Sequence, residues 1–222
     1  QFVATFSDIQ FVIVLPETYI QDGKDLIAAS GLTQQFQFVA GGDTRFQSVK
    51  NGLTQVDPDA IVFVHDAVRC LLTPDLIQRC YEQALEKGSA IPAVSSTDTI
   101  RITEGTKHHV VDRSNVMMIQ TPQTFNAAIL QKAFEQAYQP AFTDEANVVE
   151  ASGTPVYLVD GEFENIKITR PLDLAIADYI LAAWLLFIGI HTILYVLSLQ
   201  PASESTIHWI VGLSAPFILV HG

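Results

Sequence analysis

Short apolar, β-branched runs recur along the first part of the chain, each followed by a stretch with helical spacing. Gln10–Leu15 reads as a buried strand closed by Pro16, and Phe36–Ala40 and Ala60–Val64 read the same way. Between them, Tyr19–Ala29 carries Ile20, Leu26 and Ile27 at near-helical intervals, and Arg45–Leu53 places Phe46, Val49 and Leu53 on one face. Thr73 predicts a helix N-cap, Pro74 suits the first helical position, and Gly88 marks the end after Lys87. Further helices are predicted over Asn126–Tyr138 and Asp144–Ala151. Strand–helix alternation of this kind predicts an α/β fold: a mainly parallel sheet with helices on both faces. The polar stretch Ser95–Gln120, with its short strands, reads as a small β-arm inserted into it.

The pattern changes near the end. Every Lys and Arg lies at or before Arg170, and Tyr179–Leu199 carries no formal charge. That run approaches the roughly 20 residues needed to span a hydrocarbon core. A polar break, Gln200–Thr206, and a shorter apolar run, Ile207–Val220, follow it. The chain therefore divides into a unit over 1–178, with its arm at about 95–120, and an apolar tail over 179–222. The tail is predicted to continue the helix that starts near Pro171. It reads as a fused or artefactual end, with a membrane anchor through 179–199 as the second reading.

Composition narrows the function classes. Of 222 residues, 24 are acidic and 12 basic, a net charge of −12, which disfavours a nucleic-acid partner. Cys70 and Cys80 have no CxxC spacing and read as reduced thiols of a cytoplasmic protein. No charged n-region or cleavage site marks a signal peptide in Gln1–Leu15.

In a parallel α/β sheet, ligands bind where strands hand over to helices at their carboxyl ends. Two polar clusters sit at such places. Gly41-Gly42-Asp43-Thr44-Arg45 precedes a helix and suits an anion, although taken alone it reads better as an ordinary turn. His65-Asp66-Ala67-Val68-Arg69 offers a carboxylate for a metal or hydroxyl and an Arg for phosphate. A capping Asp and a surface ion pair explain it equally well. Lys167 alternates with Ile166 and Ile168 as in a strand, where a lone Lys commonly faces solvent.

Taken in order, the segments resemble the 2-C-methyl-D-erythritol 4-phosphate cytidylyltransferase family. They are GGDTRFQSVKNGL (Gly41–Leu53), VHDAVR (Val64–Arg69), STDTIR (Ser96–Arg101), VDRSN (Val111–Asn115), QTPQTF (Gln120–Phe125), TDEANVVEASG (Thr143–Gly153) and NIKITRPLDLAIA (Asn165–Ala177). The resemblance implies a nucleotide-diphospho-sugar transferase-like, Rossmann-type fold and transfer of CMP from CTP to methylerythritol phosphate, with pyrophosphate leaving. It implies Asp66, Arg69, Thr99, Arg113, Thr121 and Lys167 around the methylerythritol phosphate, with Asp66, Arg113 and Lys167 catalytic. Gly42, Asp43, Ser48 and Ala67 fall at nucleotide-binding positions. It also implies magnesium near Asp66, and a homodimer in which each arm reaches the partner's site.

Three departures stand beside the resemblance. Family members begin with a strand and a Gly-rich loop bearing an Arg, followed by a Pro-Lys pair, and no such segment precedes Gln10. The expectation is slow turnover of CTP with the sugar phosphate still bound. Val68 and Cys70 replace the usual residues of an Asp-Ala-Ala-Arg-Pro run, and the tail is foreign to the family. Two alternatives therefore remain: a non-catalytic, sugar-phosphate-binding or interaction protein, membrane-attached through its tail, and a cytidylyltransferase for another polyol phosphate such as ribitol phosphate.

Overall fold

The computed structural model describes residues 1–32 and 35–183. A short helix α1 (Phe2–Thr5) leads into β1 (Gln10–Leu15), α2 (Ile20–Ser30) and β2 (Gln35–Ala40). The two strands pair in parallel from Gln10↔Gln35 to Leu15↔Ala40, as a βαβ crossover requires. Helix α3 (Arg45–Leu53) follows, opened by a capping box in which Thr44 and Gln47 satisfy each other's backbone amides. Then come β3 (Ile61–Val64) and α4 (Pro74–Lys87). Thr73 caps α4 by accepting from the Leu76 amide, and Gly88 ends it at φ +85°, a left-handed conformation that favours glycine.

After α4 the chain enters β4 (Ser89–Ser95), the arm hairpin β5 (Ile100–Glu104) and β6 (Lys107–Val111), then β7 (Met117–Ile119) and β8 (Gln123–Asn126). Helices α5 (Ala127–Ala133) and α6 (Glu145–Ala151) and strand β9 (Leu158–Asp160) complete the ladder elements. A closing helix α7 covers 171–183, so the proposed division at 178 falls within a continuous helix. The tail from 184 lies outside the described residues, and with it most of the expected membrane-length segment. Among the described residues, no helix is long and apolar enough to cross a membrane.

The second sheet has the order β3-β8-β4-β7, with β9 beside β4. Strand alternation predicts parallel pairing, which β1–β2 and β4–β9 keep, whereas β8 runs antiparallel between β3 and β4 and β7 antiparallel to β4. The sheet is thus mixed, because the chain returns from the arm directly beside β3. Helices cover both faces, and strand alternation shows how. Val62, Val64 and Ile91 face a core with Phe46, Phe125, Leu130 and Val149, while Ile61, Phe63 and Ala90 face Leu76, Ile77 and Cys80. Cys70 and Cys80 are both free thiols, and burial pushes Cys80 up to about 12.

Two local expectations change, and one strand appears that the pattern did not predict. Helix α5 stops at Ala133 rather than Tyr138, because the Gln136 amide donates to the Ala133 and Val148 carbonyls and ties the helix end to α6. Residues 165–169 alternate in burial but join no ladder; besides local turn bonds from Asn165 and Ile166, a backbone bond from Ile168 to Val68 ties them to the loop after β3. Strand β4 contains Pro92, which cannot donate, yet its carbonyl still accepts from Gln120 at 2.7 Å.

Candidate functional site

Strand β3 delivers His65 and Asp66 to the sheet edge. The Asp66 amide donates to the Thr121 hydroxyl at 3.1 Å, just before β8. Thr121 Oγ1 lies 3.0 Å from His65 Nδ1, and His65 Nε2 lies 3.1 Å from the Arg69 carbonyl. One arrangement satisfies all three contacts: His65 donates from Nε2 and accepts from Thr121 at Nδ1. Burial lowers the His65 pKa, which keeps the ring neutral as that arrangement needs. The His65–Arg69 loop is thus fixed from behind by buried groups.

The extended segment 165–167 is fixed by the same wall. Asn165 is fully buried and donates to the Thr121 carbonyl at 2.9 Å. Arg69 Nη1 donates to the Asn165 carbonyl at 2.6 Å. Two residues on, Lys167 Nζ lies 2.9 Å from Asp66 Oδ2, and Arg69 Nε lies 3.8 Å from the same oxygen. From the other side Arg45 Nη2 lies 3.4 Å from Asp66 Oδ1. Burial alone would raise the Asp66 pKa, but the cations Lys167 and Arg45 outweigh it and hold the carboxyl below its ordinary value.

Beside this cluster, the Gly41–Asp43 turn and the end of β1 enclose a cleft of about 290 Å³. It is lined by Val14, Leu15, Pro16, Glu17, Gly41, Gly42, Asp43 and Ser48. Ser48 accepts from the Gly42 amide at 3.1 Å and donates to the Thr44 carbonyl at 2.9 Å. A Cβ on Gly42 would stand 2.5 Å from Gln47 Cβ, so the turn requires glycine there. Arg45, the first residue of α3, links the cleft to Asp66.

The structure therefore brings Asp66, Arg69 and Lys167 together and places Gly42, Asp43 and Ser48 along the neighbouring cleft. Ala67 is exposed and does not line that cleft. Thr121 is buried at 5% exposure, with its hydroxyl engaged by Asp66 and His65, so it holds the site from behind. Thr99 and Arg113 lie in the arm; Arg113 donates to the Thr97 carbonyl at 2.9 Å. Among the described residues neither makes a polar contact with the Asp66 cluster.

A divalent metal at Asp66 does not fit this arrangement. Both carboxylate oxygens already face cations, and among the described residues no cluster of three His, Cys, Asp or Glu is gathered for a metal.

Two further residues belong to the cluster. Arg45 also pairs with Glu145, whose side chain is 1% exposed. Arg45 is legible only as part of the GGDTR turn, and Glu145 only as a residue of the TDEAN helix start. Their pairing across 100 positions has no local signal.

Comparison with known proteins agrees with the segment pattern. A family model described as IspD, 2-C-methyl-D-erythritol 4-phosphate cytidylyltransferase, matches residues 2–183. The 2-C-methyl-D-erythritol 4-phosphate cytidylyltransferase of Bacteroides fragilis is 41% identical over 172 residues, covering 78% of each chain. That of Crocosphaera subtropica is 39% identical over 180 residues, again 78% of each. Among solved structures, the Thermus thermophilus enzyme of the same name has a TM-score of 0.64 at 31% identity, covering 81% of this chain and 86% of that one. The 4-diphosphocytidyl-2C-methyl-D-erythritol synthase of Anaerococcus prevotii has a TM-score of 0.69 at 27% identity, covering 78% and 81%.

Proposed function

The chain belongs to the 2-C-methyl-D-erythritol 4-phosphate cytidylyltransferase family, and from that premise we propose that its site binds methylerythritol phosphate beside CTP and joins them. The reaction is a nucleotidyl transfer. An oxygen of the sugar phosphate attacks the α-phosphorus of CTP, the new P–O bond forms as the bond to the β-phosphate bridge breaks, and pyrophosphate leaves. Such transfers depend on positioning and on cations near the phosphates more than on covalent chemistry.

The observation that carries this reading is Lys167 and Arg69 converging on Asp66 next to the glycine-walled cleft. In the reading, Lys167 and Arg69 take the sugar phosphate while Asp66 accepts a polyol hydroxyl. The cleft bounded by Gly42, Asp43 and Ser48 takes the nucleotide, and Ala67, which lies outside that cleft, takes no part in the reading. Magnesium, expected with CTP, arrives as the counter-ion of the triphosphate and is not held by Asp66. Thr99 and Arg113 reach the site of a partner subunit through the arm, which makes the working form a homodimer. Two free thiols suit a reducing, cytoplasmic compartment.

The test is pyrophosphate release with CTP and magnesium, using methylerythritol phosphate and ribitol phosphate in parallel, alongside calorimetric binding of each sugar phosphate. Binding of methylerythritol phosphate and slow turnover with it are expected. Preference for ribitol phosphate, or binding of neither, would overturn the reading.

A further inference from the structure

Glu145 is a carboxylate in the wrong place for stability. Its side chain is 1% exposed, one oxygen meets Arg45, and the other, Oε2, is buried without a partner. A buried charge is costly unless fully paired. The start of α6 does not need it, because Asp144 already caps that helix by accepting the Asn147 amide at 2.9 Å. Gln123 holds the same turn, accepting from the Ala146 amide at 2.9 Å and donating to Asp144 at 3.0 Å. What Glu145 does touch is Arg45, whose second nitrogen lies 3.4 Å from Asp66.

The two near cations of Asp66 differ in kind. Lys167 is a half-exposed point charge on a flexible stem, free to follow an incoming phosphate. Arg45 is a planar fork held at both ends by carboxylates. We propose that Glu145 and Arg45 are a positioning pair. Glu145 pins the Arg45 guanidinium against Asp66, so that Asp66 keeps its orientation and a cationic partner when the substrate phosphate draws Lys167 away. The inference rests on the reading of this site as the sugar-phosphate site. It assigns to Arg45 and Glu145 the placing of the carboxylate that recognises the polyol.

Charge arithmetic gives the test a sign. Removing the Glu145 charge makes the site more positive, so a field effect alone would tighten anion binding, whereas loss of positioning weakens recognition of the polyol. Calorimetry on the full chain compares methylerythritol phosphate with inorganic phosphate, which lacks the polyol, for the unaltered chain, E145Q, R45K and R45M/E145Q. The double variant restores the original net charge. R45K keeps a cation beside buried Glu145 but cannot bridge two carboxylates, so it serves where a charge-removing variant fails to fold.

The expected result is methylerythritol phosphate binding weakened about 10-fold in E145Q and in R45K, the scale of one charge-assisted hydrogen bond. Inorganic phosphate should change less than about twofold, and the double variant should lose no more than E145Q alone, as a coupled pair does. In turnover, KM for methylerythritol phosphate should rise and KM for CTP should not. Unchanged or tighter methylerythritol phosphate binding in E145Q, full function in R45K, or equal weakening of both ligands would each overturn the positioning role. If the unaltered chain binds no methylerythritol phosphate, the site reading itself falls and takes this inference with it.

Discussion

The Thr121 hydroxyl accepts the Asp66 amide at 3.1 Å, tying two residues that stand 55 positions apart. Neither residue is in a strand, but each stands two positions beyond the end of one, and β3 and β8 pair in register from Ile61↔Asn126 to Val64↔Gln123. The ladder therefore sets where the Thr121 hydroxyl meets the loop carrying the carboxylate. Thr121→Val keeps the shape and removes the hydroxyl, leaving the Asp66 amide and the His65 ring without their shared partner. The expected cost is about 1–3 kcal/mol of stability by urea denaturation, with weaker methylerythritol phosphate binding. Thr121→Ser should stay near the original on both measures.

Lys167 supplies the most exposed cation of the cluster, at 2.9 Å from Asp66. Lys167→Met leaves the segment anchored, because Asn165 and Ile168 make its hydrogen bonds to the wall. The fold should therefore melt within a few degrees of the unaltered chain, about what a surface substitution allows. Methylerythritol phosphate binding should fall at least about 10-fold, because the proposed phosphate site loses one of its two cations. Calorimetry checks the second outcome, and a variant that binds normally would remove Lys167 from the site.

Much of this was legible in the residues, and the limits have physical causes. The Thr73 cap, Pro74 and Gly88 bound α4 as their chemistry predicts, because capping is a local matter. The Asp66, Arg69 and Lys167 cluster could be anticipated only through the family resemblance, since Lys167 alone reads as a solvent-facing residue. What stayed hidden was non-local. Pro92 masks β4, whose partners β7, β8 and β9 come from distant sequence. Ile166 and Ile168 imitate a strand because the segment lies flat on a polar wall, which gives alternating burial without a ladder. Glu145 looks like an exposed first-turn acid, and only the packing of α6 toward Arg45 reveals that it is buried.

The two carboxylates that flank Arg45 should give opposite pH slopes. Burial would raise Asp66, yet Lys167 and Arg45 hold it below its ordinary 3.8. Its contribution to stability is therefore present above 3.8 and lost as pH falls through the lower folded value. Glu145 is pushed above its ordinary 4.5 by burial, which Arg45 only partly offsets. The folded state then holds that proton longer than the unfolded one, so stability declines as pH rises from 4.5 through the raised value. Asp66→Asn should flatten the acid limb of a stability profile, and Glu145→Gln should flatten the decline above 4.5. Near pH 7 E145Q should be as stable as the unaltered chain or more so by about 1 kcal/mol, in line with the stability cost of groups kept for function. A marked loss of stability in E145Q at neutral pH would contradict this account.

The arm sets the last expectation. Arg113 donates to the Thr97 carbonyl at 2.9 Å within the arm and, among the described residues, makes no polar contact with the Asp66 cluster, while the hairpin leaves Ile102 and Val110 exposed. If the arm serves the site of a second copy, Arg113 and Lys167 of one active centre come from different chains. A chain carrying Arg113→Ala and a chain carrying Lys167→Met should then each be inactive, yet regain activity when mixed and allowed to exchange. In a two-fold dimer, half of the randomly mixed assemblies pair the two variants, and each such pair has one site with both residues intact. Pyrophosphate release should recover to about a quarter of the unaltered level by that arithmetic. Recovery cannot arise if Arg113 and Lys167 work within one chain, because every site would then lack one of them. A mixture that stays inactive after proven exchange would place Arg113 back with its own subunit, or outside the reaction.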